Sequence, residues 1–414
     1  MDSEQPDAVP TVQPEAPPQP VAEPEPRPEP APVATMLTVG VPTETVSGEE
    51  RVALTPDVLK RMARDFRILV QSGAGQAAGF LDAAYEAAGG TIVSDAESVF
   101  NQSDIVLKVQ RPTEQELPLL REGQILIALL GALAQPQIVV SLADRKVIAL
   151  SMDTIPRITR AQSMDALSSM ATVAGYKAVL LAANELPKFF PLLMTAAGTI
   201  RPAKVLVLGA GVAGLQAIAT ARRLGAVVEA FDVRPVVKEQ VESLGASFVE
   251  FNVAAEGEGG YARELTAEDI QHEIALIKEH AAKSDVVITT AQIPGRPAPM
   301  MMPEDTVQAM QPGSVIVDLA AETGGNCQLS VAGETIQRYG VTIMGPVNLP
   351  ATMAFHASEM YAKNVSTLLE HLAPKGQFTL NLDDDITKGV CLTRDGEILY
   401  GPTKNWLKEK EGVA

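Results

Sequence analysis

This 414-residue chain has few cysteines, no excess of basic residues and no long apolar run, and each of these absences excludes a class of protein. Two cysteines, Cys327 and Cys391, cannot form a disulfide framework, and two alone cannot complete a four-ligand metal site. Acidic residues outnumber basic ones 51 to 33, giving a net charge of −18. That balance argues against a nucleic-acid partner and against docking onto anionic lipid by bulk charge.

The apolar runs and the histidines exclude two further classes. Residues 125–134 carry no polar side chain, but a membrane-spanning helix needs about 20 residues. We therefore predict no membrane-spanning segment. The four histidines follow no serine or cysteine nucleophile pattern, and we find no P-loop and no metal-ligand spacing. No catalytic triad and no metal site are predicted.

The first 35 residues differ in composition from the rest. They hold 11 of the 30 prolines and seven acidic residues, with no glycine and no aromatic residue. Such a segment cannot bury enough apolar area to offset its ordering entropy, so we predict a disordered or polyproline II leader over residues 1–35. It has neither the basic start nor the apolar core of a secretion signal. The folded part is predicted to begin at Met36.

From Met36 onward, short apolar strands alternate with alanine-rich helical stretches, which is typical of parallel βαβ units. The first series of predicted strands covers 36–41, 67–71, 105–108, 125–128 and 147–149, with helices at 55–64 and 82–88. The second series covers 205–208, 227–231, 286–290, 315–318 and 341–344. Long helical patterns at 165–183 and 356–372 connect the two series.

We therefore predict an α/β protein with two Rossmann-like, doubly wound parallel-sheet domains and an interdomain cleft. The first domain would comprise residues 36–165 plus 357–414, and the nucleotide-binding domain would comprise 166–356. Ligands of such proteins bind near the carboxyl ends of the strands.

The strongest motif is a strand, a Gly-x-Gly-x-x-Gly turn and a helix over residues 205–221. Gly209 permits the tight turn, Gly211 lets the backbone approach a pyrophosphate, and Gly214 lets the helix pack on the strand. Asp232 ends the next strand, 21 residues after Gly211. Its carboxylate would accept hydrogen bonds from a ribose and repel a 2′-phosphate, which favours NAD(H). Arg234 is the opposing signal, because an arginine there can hold a 2′-phosphate.

Two further segments admit two interpretations each. Arg157, Gln162, Asp165 and Ser168 would cluster at the mouth of the cleft and offer the polar groups that a nicotinamide carboxamide and its ribose need. Alternatively, Asp165 or Ser163 only caps the following helix, and the arginines of this segment are solvated. The glycine-rich acidic stretch 256–264 is either a floppy connection or a lid whose Tyr261 closes on bound nucleotide.

The sequence shows no positioned acid–base group. Oxidation of an alcohol or an amine moves a proton as well as a hydride and needs a base such as histidine or lysine. Hydride exchange between two nicotinamide rings needs only that the rings be held in contact.

Several motifs together resemble a known family. Gly-Val-Pro-Thr-Glu at 40–44, Gly-Glu-Glu-Arg-Val-Ala-Leu-Thr-Pro at 48–56, the segment 157–169, the glycine turn and Asp-Leu-Ala-Ala-Glu-Thr-Gly-Gly-Asn-Cys at 318–327 appear in order. The chain resembles the NAD(H)-binding component, domain I, of proton-translocating nicotinamide nucleotide transhydrogenase. Alanine dehydrogenases share the fold.

The resemblance implies an oxidoreductase that passes hydride between NAD(H) on this chain and NADP(H) on a partner component, domain III, while a separate membrane subunit couples this to proton translocation. It also implies a homodimer located in the cytoplasm, peripheral on the inner membrane face. Catalytic positions carried over from the family are Arg157, Gln162, Asp165, Ser168 and Tyr261. Cofactor-binding positions are Gly209, Gly211, Val212, Ala213, Gly214, Asp232, Val233, Arg234, Gly260 and Gln292. Gln292 stands where the family usually has leucine.

Two alternatives remain. An amino-acid dehydrogenase of the alanine dehydrogenase type would need a lysine and a histidine in the first domain, but Gln110 and Gly131 fill those positions. Lys108 is retained nearby. The other alternative is a non-catalytic NAD-binding module.

Overall fold

A computed structural model of the chain describes residues 36–251 and 266–410, together with Met1 and Gly412. Apart from Met1, the predicted leader lies outside the described residues, as does the glycine-rich stretch 256–264. The described residues from Met36 onward belong to one compact unit.

The first sheet has eight strands and draws them from both ends of the folded chain. They are β1 (Thr38–Val41), β2 (Arg67–Gln71), β3 (Thr91–Val93), β4 (Ile105–Gln110), β5 (Ile125–Leu129), β6 (Ile148–Ser151), β16 (Cys391–Arg394) and β17 (Glu397–Ile398). Six parallel strands lie in the order β3-β2-β1-β4-β5-β6, and β16 and β17 extend the sheet antiparallel beyond β6.

Four helices connect these strands, and two more belong to the C-terminal part. They are α1 (Pro56–Met62), α2 (Asp82–Ala87), α3 (Ala96–Gln102), α4 (Pro136–Asp144), α11 (Asp385–Val390) and α12 (Gly401–Lys410). Helix α3 begins where the Asp95 carboxylate accepts a hydrogen bond from the Ser98 amide, a standard N-cap.

The second sheet repeats the same strand order. Its strands are β9 (Lys204–Leu208), β10 (Val227–Phe231), β11 (Ser247–Val249), β12 (Val286–Thr289), β13 (Val315–Asp318), β14 (Thr335–Arg338) and β15 (Val341–Met344). Six of them are parallel and run β11-β10-β9-β12-β13-β15, with β14 antiparallel at the edge. The helices are α6 (Val212–Arg223), α7 (Lys238–Ser243), α8 (Ala267–Ala281) and α9 (Glu304–Ala309). An exposed hairpin, β7 (Leu193–Thr195) and β8 (Gly198–Ile200), precedes this sheet.

Both sheets are buried on both faces, which explains their continuous apolar strands. On β9, Val205 and Val207 pack into one apolar cluster, and Leu206 and Leu208 pack into another on the opposite face. In each sheet the first and fourth strands lie side by side, so the connections leave them in opposite directions. This is the switch point where open α/β sheets bind ligands.

Two long helices carry the chain between the sheets: α5 (Ala166–Glu185) leads to the second sheet and α10 (Ala354–Leu372) returns to the first. The N-terminal half of α5 contributes Met170 and Val173 to the core of the first sheet. Its C-terminal half contributes Val179 and Ala182 to the core of the second.

Helix α5 is rich in apolar residues. Among the described residues, α5 is the one helix long and apolar enough to cross a membrane by length and composition. It contains no long unbroken apolar run, because serine, threonine and lysine interrupt its apolar residues. Helices buried in protein cores pass the same test, and α5 contacts both cores.

The predicted α/β class with two Rossmann-like doubly wound sheets is confirmed. The structure reproduces the predicted strands at 67–71, 227–231, 315–318 and 341–344 to the residue.

Candidate functional site

A cavity of about 1000 Å³ is lined by residues that follow strands of both sheets. One wall comes from residues 156–168, which follow β6 of the first sheet and enter α5. The other walls come from the second sheet: the glycine turn after β9, the end of β10, helix α8 and the segment 290–301 after β12.

The glycine turn lies at the switch point of the second sheet, between β9 and β12. Gly209 has a φ of +94°, and a Cβ there would lie 2.8 Å from Thr290 Oγ1, so glycine is required. The Thr290 hydroxyl donates to the Gly209 carbonyl at 3.0 Å and holds the turn. Gly211 is the N-cap of α6, lines the cavity, and has no atom within 4 Å of the position that a Cβ would occupy.

Two other motif residues support the turn from behind. A Cβ on Gly214 would lie 1.8 Å from the Gly209 carbonyl oxygen, so this glycine allows the helix to pack on the strand, as predicted. Ala213 presents its carbonyl to Gly175 of α5. Neither Ala213 nor Gly214 lines the cavity, whereas Val212 does.

Asp232, at the end of β10, is 7% exposed and accepts four hydrogen bonds. Its carboxylate accepts from the Ala210 amide at 2.8 Å and from the Arg234 amide at 2.9 Å. It also accepts from Arg234 Nε at 2.9 Å and from Arg234 Nη2 at 2.8 Å. The two residues that carried opposite signals in the sequence therefore form one ion pair, and Val233 between them also lines the cavity.

The structure brings Arg157, Gln162, Asp165 and Ser168 together on one wall of the cavity. Asp165 accepts from the Ser168 amide at 2.9 Å and from the Ser168 hydroxyl at 2.6 Å. It therefore caps α5 while lining the cavity, so the two interpretations of this residue are compatible. The side chains of Arg157 and Gln162 are exposed.

The C-terminal part of the chain anchors this wall. Asp384, which caps α11, accepts from Arg160 Nη1 at 2.6 Å and from His371 Nε2 at 2.9 Å. Asn364 of α10 donates its side-chain amide to the Ser163 carbonyl at 2.8 Å. These contacts hold the turn 159–164 between the cavity and α10.

The remaining predicted positions divide into two groups. Gln292 lines the cavity, and its amide donates to the Leu319 carbonyl at 2.8 Å, so its polar end is held by the protein. Gly260 and Tyr261 lie outside the described residues, and their proposed roles stay predictions.

Sequence reasoning missed two residues that shape the site. Asn326 is fully buried and ties two parts of the wall together, because its side chain bonds to Ala291 at 3.1 and 2.8 Å and donates to the Pro299 carbonyl at 2.9 Å. Glu273 of α8 is 9% exposed and lines the cavity near Asp232. A carboxylate within the apolar stripe of a helix was the available signal for Glu273.

The switch point of the first sheet is filled by its own side chains. Lys108 of β4 is fully buried between Glu44 at 3.1 Å and Glu116 at 2.8 Å. Nearby, Glu49 pairs with Arg51 at 2.6 Å and accepts from Gln110 Nε2 at 2.9 Å. Each ionic side chain of this cluster has a partner within the protein, with three carboxylates against two cations. The candidate ligand site is therefore the cavity beside the second sheet.

The residues present fit a dinucleotide. The turn at Gly211 leaves open space at a helix N-terminus, which suits a phosphate. A carboxylate follows the second strand, and polar side chains line the facing wall. Among the described residues, no group of histidine, cysteine and carboxylate side chains is placed to hold a metal ion. Fold and site together define a two-domain nucleotide-binding α/β protein of the Rossmann type.

The chain belongs to the alanine dehydrogenase/PNT family. The N-terminal domain of that family matches residues 40–174, and its C-terminal domain matches residues 178–401.

Similar proteins in this family include transhydrogenase subunits and alanine dehydrogenases. An NAD(P) transhydrogenase alpha subunit of Rhodospirillum rubrum is 47% identical over 376 residues, covering 88% of this chain and 98% of that protein. NAD(P) transhydrogenase subunit alpha of Cereibacter sphaeroides is 47% identical over 374 residues, covering 88% of this chain and 72% of that protein. Alanine dehydrogenase of Bacillus subtilis is 29% identical, covering 88% of this chain and 93% of that protein.

Solved structures of a transhydrogenase and an alanine dehydrogenase are also similar to this chain. The transhydrogenase from Sinorhizobium meliloti superimposes with a TM-score of 0.80 at 43% identity, covering 87% of this chain and 99% of that one. An L-alanine dehydrogenase superimposes with a TM-score of 0.76 at 25% identity, covering 90% and 99%. The resemblance drawn from the sequence motifs is therefore confirmed.

Proposed function

We propose that this chain is the NAD(H)-binding component of a proton-translocating transhydrogenase. In this proposal it holds NAD(H) in the cavity and exchanges hydride directly with NADP(H) held on a partner component. The observation that carries the proposal is the position of the cavity: a glycine turn with Asp232 on one side faces the Arg157–Gln162–Asp165–Ser168 wall on the other. The 47% identity to transhydrogenase alpha subunits supports it.

The roles of the residues follow from their positions. The amides at the start of α6 would bind the pyrophosphate, and the Asp232 carboxylate would accept from the adenosine ribose. Gln162 and Asp165 would orient the nicotinamide end, with Arg157 and Ser168 beside them. Bound NAD(H) supplies the hydride at its nicotinamide ring. The chain itself has only to fix the distance and the orientation of that ring.

The groups on the cavity wall favour hydride exchange over amino-acid oxidation. The described residues that line the cavity include arginine, glutamine, serine and carboxylates, but no lysine or histidine. In the first sheet, Gln110 donates its amide to Glu49, and Gly131 adopts a φ of +63° in a loop. Neither residue can carry a proton, so the base that amine oxidation requires is lacking at both positions.

The assembly is also a proposal. We propose a homodimer, a domain III component that binds NADP(H), and a separate membrane subunit that couples hydride transfer to proton translocation. The chain would then lie at the cytoplasmic face of the membrane. We further propose the domain division 36–165 plus 357–414 and 166–356, and a lid role for Gly260 and Tyr261. The names of the transhydrogenase relatives support a multi-subunit complex.

The test combines binding with transfer. NADH fluorescence should change on titration with the purified chain, and mixing with an NADP(H)-loaded partner component should produce hydride exchange. Gln162→Asn should slow this exchange about a hundredfold, because an error near 1 Å has roughly that cost, while NADH affinity changes little. Ser163→Ala, in the same turn but not lining the cavity, is the matched control.

Two outcomes would contradict the proposal. Oxidation of alanine or another amino acid by the purified chain with NAD would assign it to the dehydrogenases. If NADH binds but Gln162→Asn leaves the exchange rate with the partner component unchanged, the chain is a non-catalytic binding module.

A further inference from the structure

Helix α8 carries a carboxylate on the face that packs against the second sheet. Ile270, Glu273, Ile277 and Ala281 follow one another at spacings of three and four residues, so they share one side of the helix. Ile277 and Ala281 are 1% and 0% exposed and belong to the apolar cluster on this face of the sheet. Glu273 thus stands where the helix pattern calls for an apolar side chain.

The side chain of Glu273 faces the cavity. The side chain is 9% exposed and lines the cavity, and within residues 36–251 and 266–410 no donor lies within hydrogen-bond distance of it. Burial and, secondarily, the nearby charge of Asp232 raise the pKa of Glu273 to about 7. A buried carboxylate without a cation or donor is costly, so its presence indicates a ligand group that interacts with it.

The charges around Glu273 show what this part of the cavity accepts. Arg234 is bound on two nitrogens by Asp232, so the positive charge that follows Asp232 in the sequence is already engaged by a carboxylate. A 2′-phosphate carries about −1.5 to −2 charges at neutral pH and would meet a second carboxylate here. A ribose with free hydroxyls can instead donate to both carboxylates.

We propose that Glu273 is a specificity-determining residue of the adenosine-ribose subsite, which acts with Asp232 to select a dinucleotide without a 2′-phosphate. The inference rests on the proposed function, in that NAD(H) must bind in this cavity. Glu273 lies outside the dinucleotide-binding motif. The glycine turn and Asp232 are the usual determinants of nucleotide binding in this motif, whereas Glu273 lies on a different helix, 41 residues after Asp232.

Other ionisable groups also contribute to the field at this place and must be controlled. The cavity is also lined by Arg157, Asp165 and Arg296, and on α8 itself Asp269 and His272 lie within four residues of Glu273. His272 is exposed and packs its ring 5.4 Å from that of Phe251, centroid to centroid. A substitution at Glu273 leaves all these groups in place, so the difference between the variant and the wild type reports the effect of the Glu273 carboxylate alone.

The experiment measures the dissociation constants of NADH and NADPH by fluorescence for the wild-type chain, Glu273→Gln and Glu268→Gln. Glu268 is an exposed carboxylate on the same helix and serves as the matched control. At pH 8, Glu273→Gln should raise the affinity for NADPH relative to NADH about tenfold, which corresponds to roughly 1.4 kcal/mol. The control should leave the ratio within twofold of the wild type.

A second measurement compares the preference for NADH over NADPH at different pH values. Between pH 8 and pH 6 the wild-type preference for NADH should weaken more than that of Glu273→Gln. The 2′-phosphate also titrates in this range, but it does so in both proteins, so the difference between them reports Glu273. Glu273→Asp retains the charge and should retain the preference, which gives a reading even if the amide variant folds poorly.

An unchanged NADPH-to-NADH ratio in a folded Glu273→Gln variant would overturn the inference. If the wild-type chain binds no NADH at all, the proposed function itself fails. If Glu273→Gln weakens both nucleotides equally, Glu273 is a general contact, and its role in selecting the nucleotide is disproved.

Discussion

Gly175 of α5 packs directly on the backbone of Ala213 in α6: a Cβ on Gly175 would lie 2.1 Å from the Ala213 carbonyl oxygen. The helix that joins the two sheets therefore touches the first turn of the helix that begins at the glycine motif. No side chain lies between them that could move aside. The position of the candidate phosphate site thus depends on a residue that does not line the cavity.

Gly175→Ala is expected to destabilise the protein and weaken NADH binding together. The added methyl group must push α5 and α6 apart, because its nearest neighbour is backbone, and such overpacking costs about 1–3 kcal/mol. Denaturant unfolding and NADH titration would measure the two effects. Asn184→Ala, at an exposed position of α5, is the control and should change neither. If Gly175→Ala binds NADH normally, the contact does not position the turn.

Strands with β-branched, continuous apolar sequences were predictable. The bounds of β13 and β15 follow from short, mostly apolar runs that are almost entirely buried, and β10 was recognised although Val227 is exposed and Glu229 is half-buried. The three-residue strands β3 and β11 were missed, because so short a run carries no periodicity. The pairing of β16 with β6 joins segments about 240 residues apart, and no local pattern records such a contact.

Lys108 should be essential for stability although it lies outside the candidate site. Burial alone would lower the pKa of this lysine, but Glu44 and Glu116 hold it above its ordinary value. Lys108→Met leaves two buried carboxylates without a cation and should cost about 3–5 kcal/mol at pH 7. The loss should shrink as the pH falls, because protonation then neutralises the carboxylates.

Denaturant unfolding between pH 5 and pH 8 measures this effect. The triple variant Lys108→Met, Glu44→Gln, Glu116→Gln removes all three charges and should recover most of the stability. A single Lys108→Met variant as stable as the wild type would show that the cluster contributes nothing.

The raised pKa of Glu273 predicts a second pH dependence of the folding stability, which arises from a buried carboxyl group. Its folded pKa of about 7 lies above the ordinary value of 4.5, so the folded state binds the proton more tightly than the unfolded state. Stability therefore falls as the pH rises from about 4.5 to 7, and above pH 7 the total loss is on the order of 3 kcal/mol. Glu273→Gln should be more stable than the wild type at pH 8 and should lack this slope. Equal pH profiles of unfolding for the two proteins would contradict the raised pKa.

Both cysteine thiols are expected to be unreactive in the folded protein. Cys327 and Cys391 are 0% and 2% exposed, and burial raises the pKa of Cys391 to about 11 and that of Cys327 above its ordinary value. The thiolate is the reactive form, so a thiol reagent at pH 8 should label neither cysteine. After denaturation the same reagent should label both. Fast labelling of the native protein would mean that the structure around one of the two cysteines opens readily.

Some parts of the candidate site were predictable from the sequence and others were not. The spacing of its glycines, together with the apolar strand before them and the helix after them, identified the turn, and Asp232 followed from the end of the next strand. The ion pair between Asp232 and Arg234 was not predictable, because two residues of opposite charge on one loop can point apart as well as together. The anchoring of the 159–164 turn by α10 and α11 depends on a contact over 200 residues in sequence.

Asp384 is expected to couple the stability of the C-terminal part to the rate of the hydride exchange proposed above. Burial opposes the charge of this carboxylate, but hydrogen bonds from Thr387, His371 and Arg160 hold its pKa well below the ordinary value. The stability it contributes is present above its ordinary pKa of 3.8 and is lost as the pH falls through the lowered folded value. Asp384→Asn keeps a capping oxygen for α11 but removes the charge that holds Arg160.

This variant should lower the melting temperature at pH 7 by about 2–4 °C and flatten the loss of stability in acid. Because Arg160 lies two residues before Gln162, the exchange rate with the NADP(H)-loaded partner should fall several-fold while NADH affinity is retained. Asp383→Asn, an exposed neighbour, is the control for the added amide. A variant that melts at a lower temperature but exchanges hydride at the wild-type rate would show that the contact supports the fold alone, and that the turn carrying Gln162 is held by Asn364 and the start of α5.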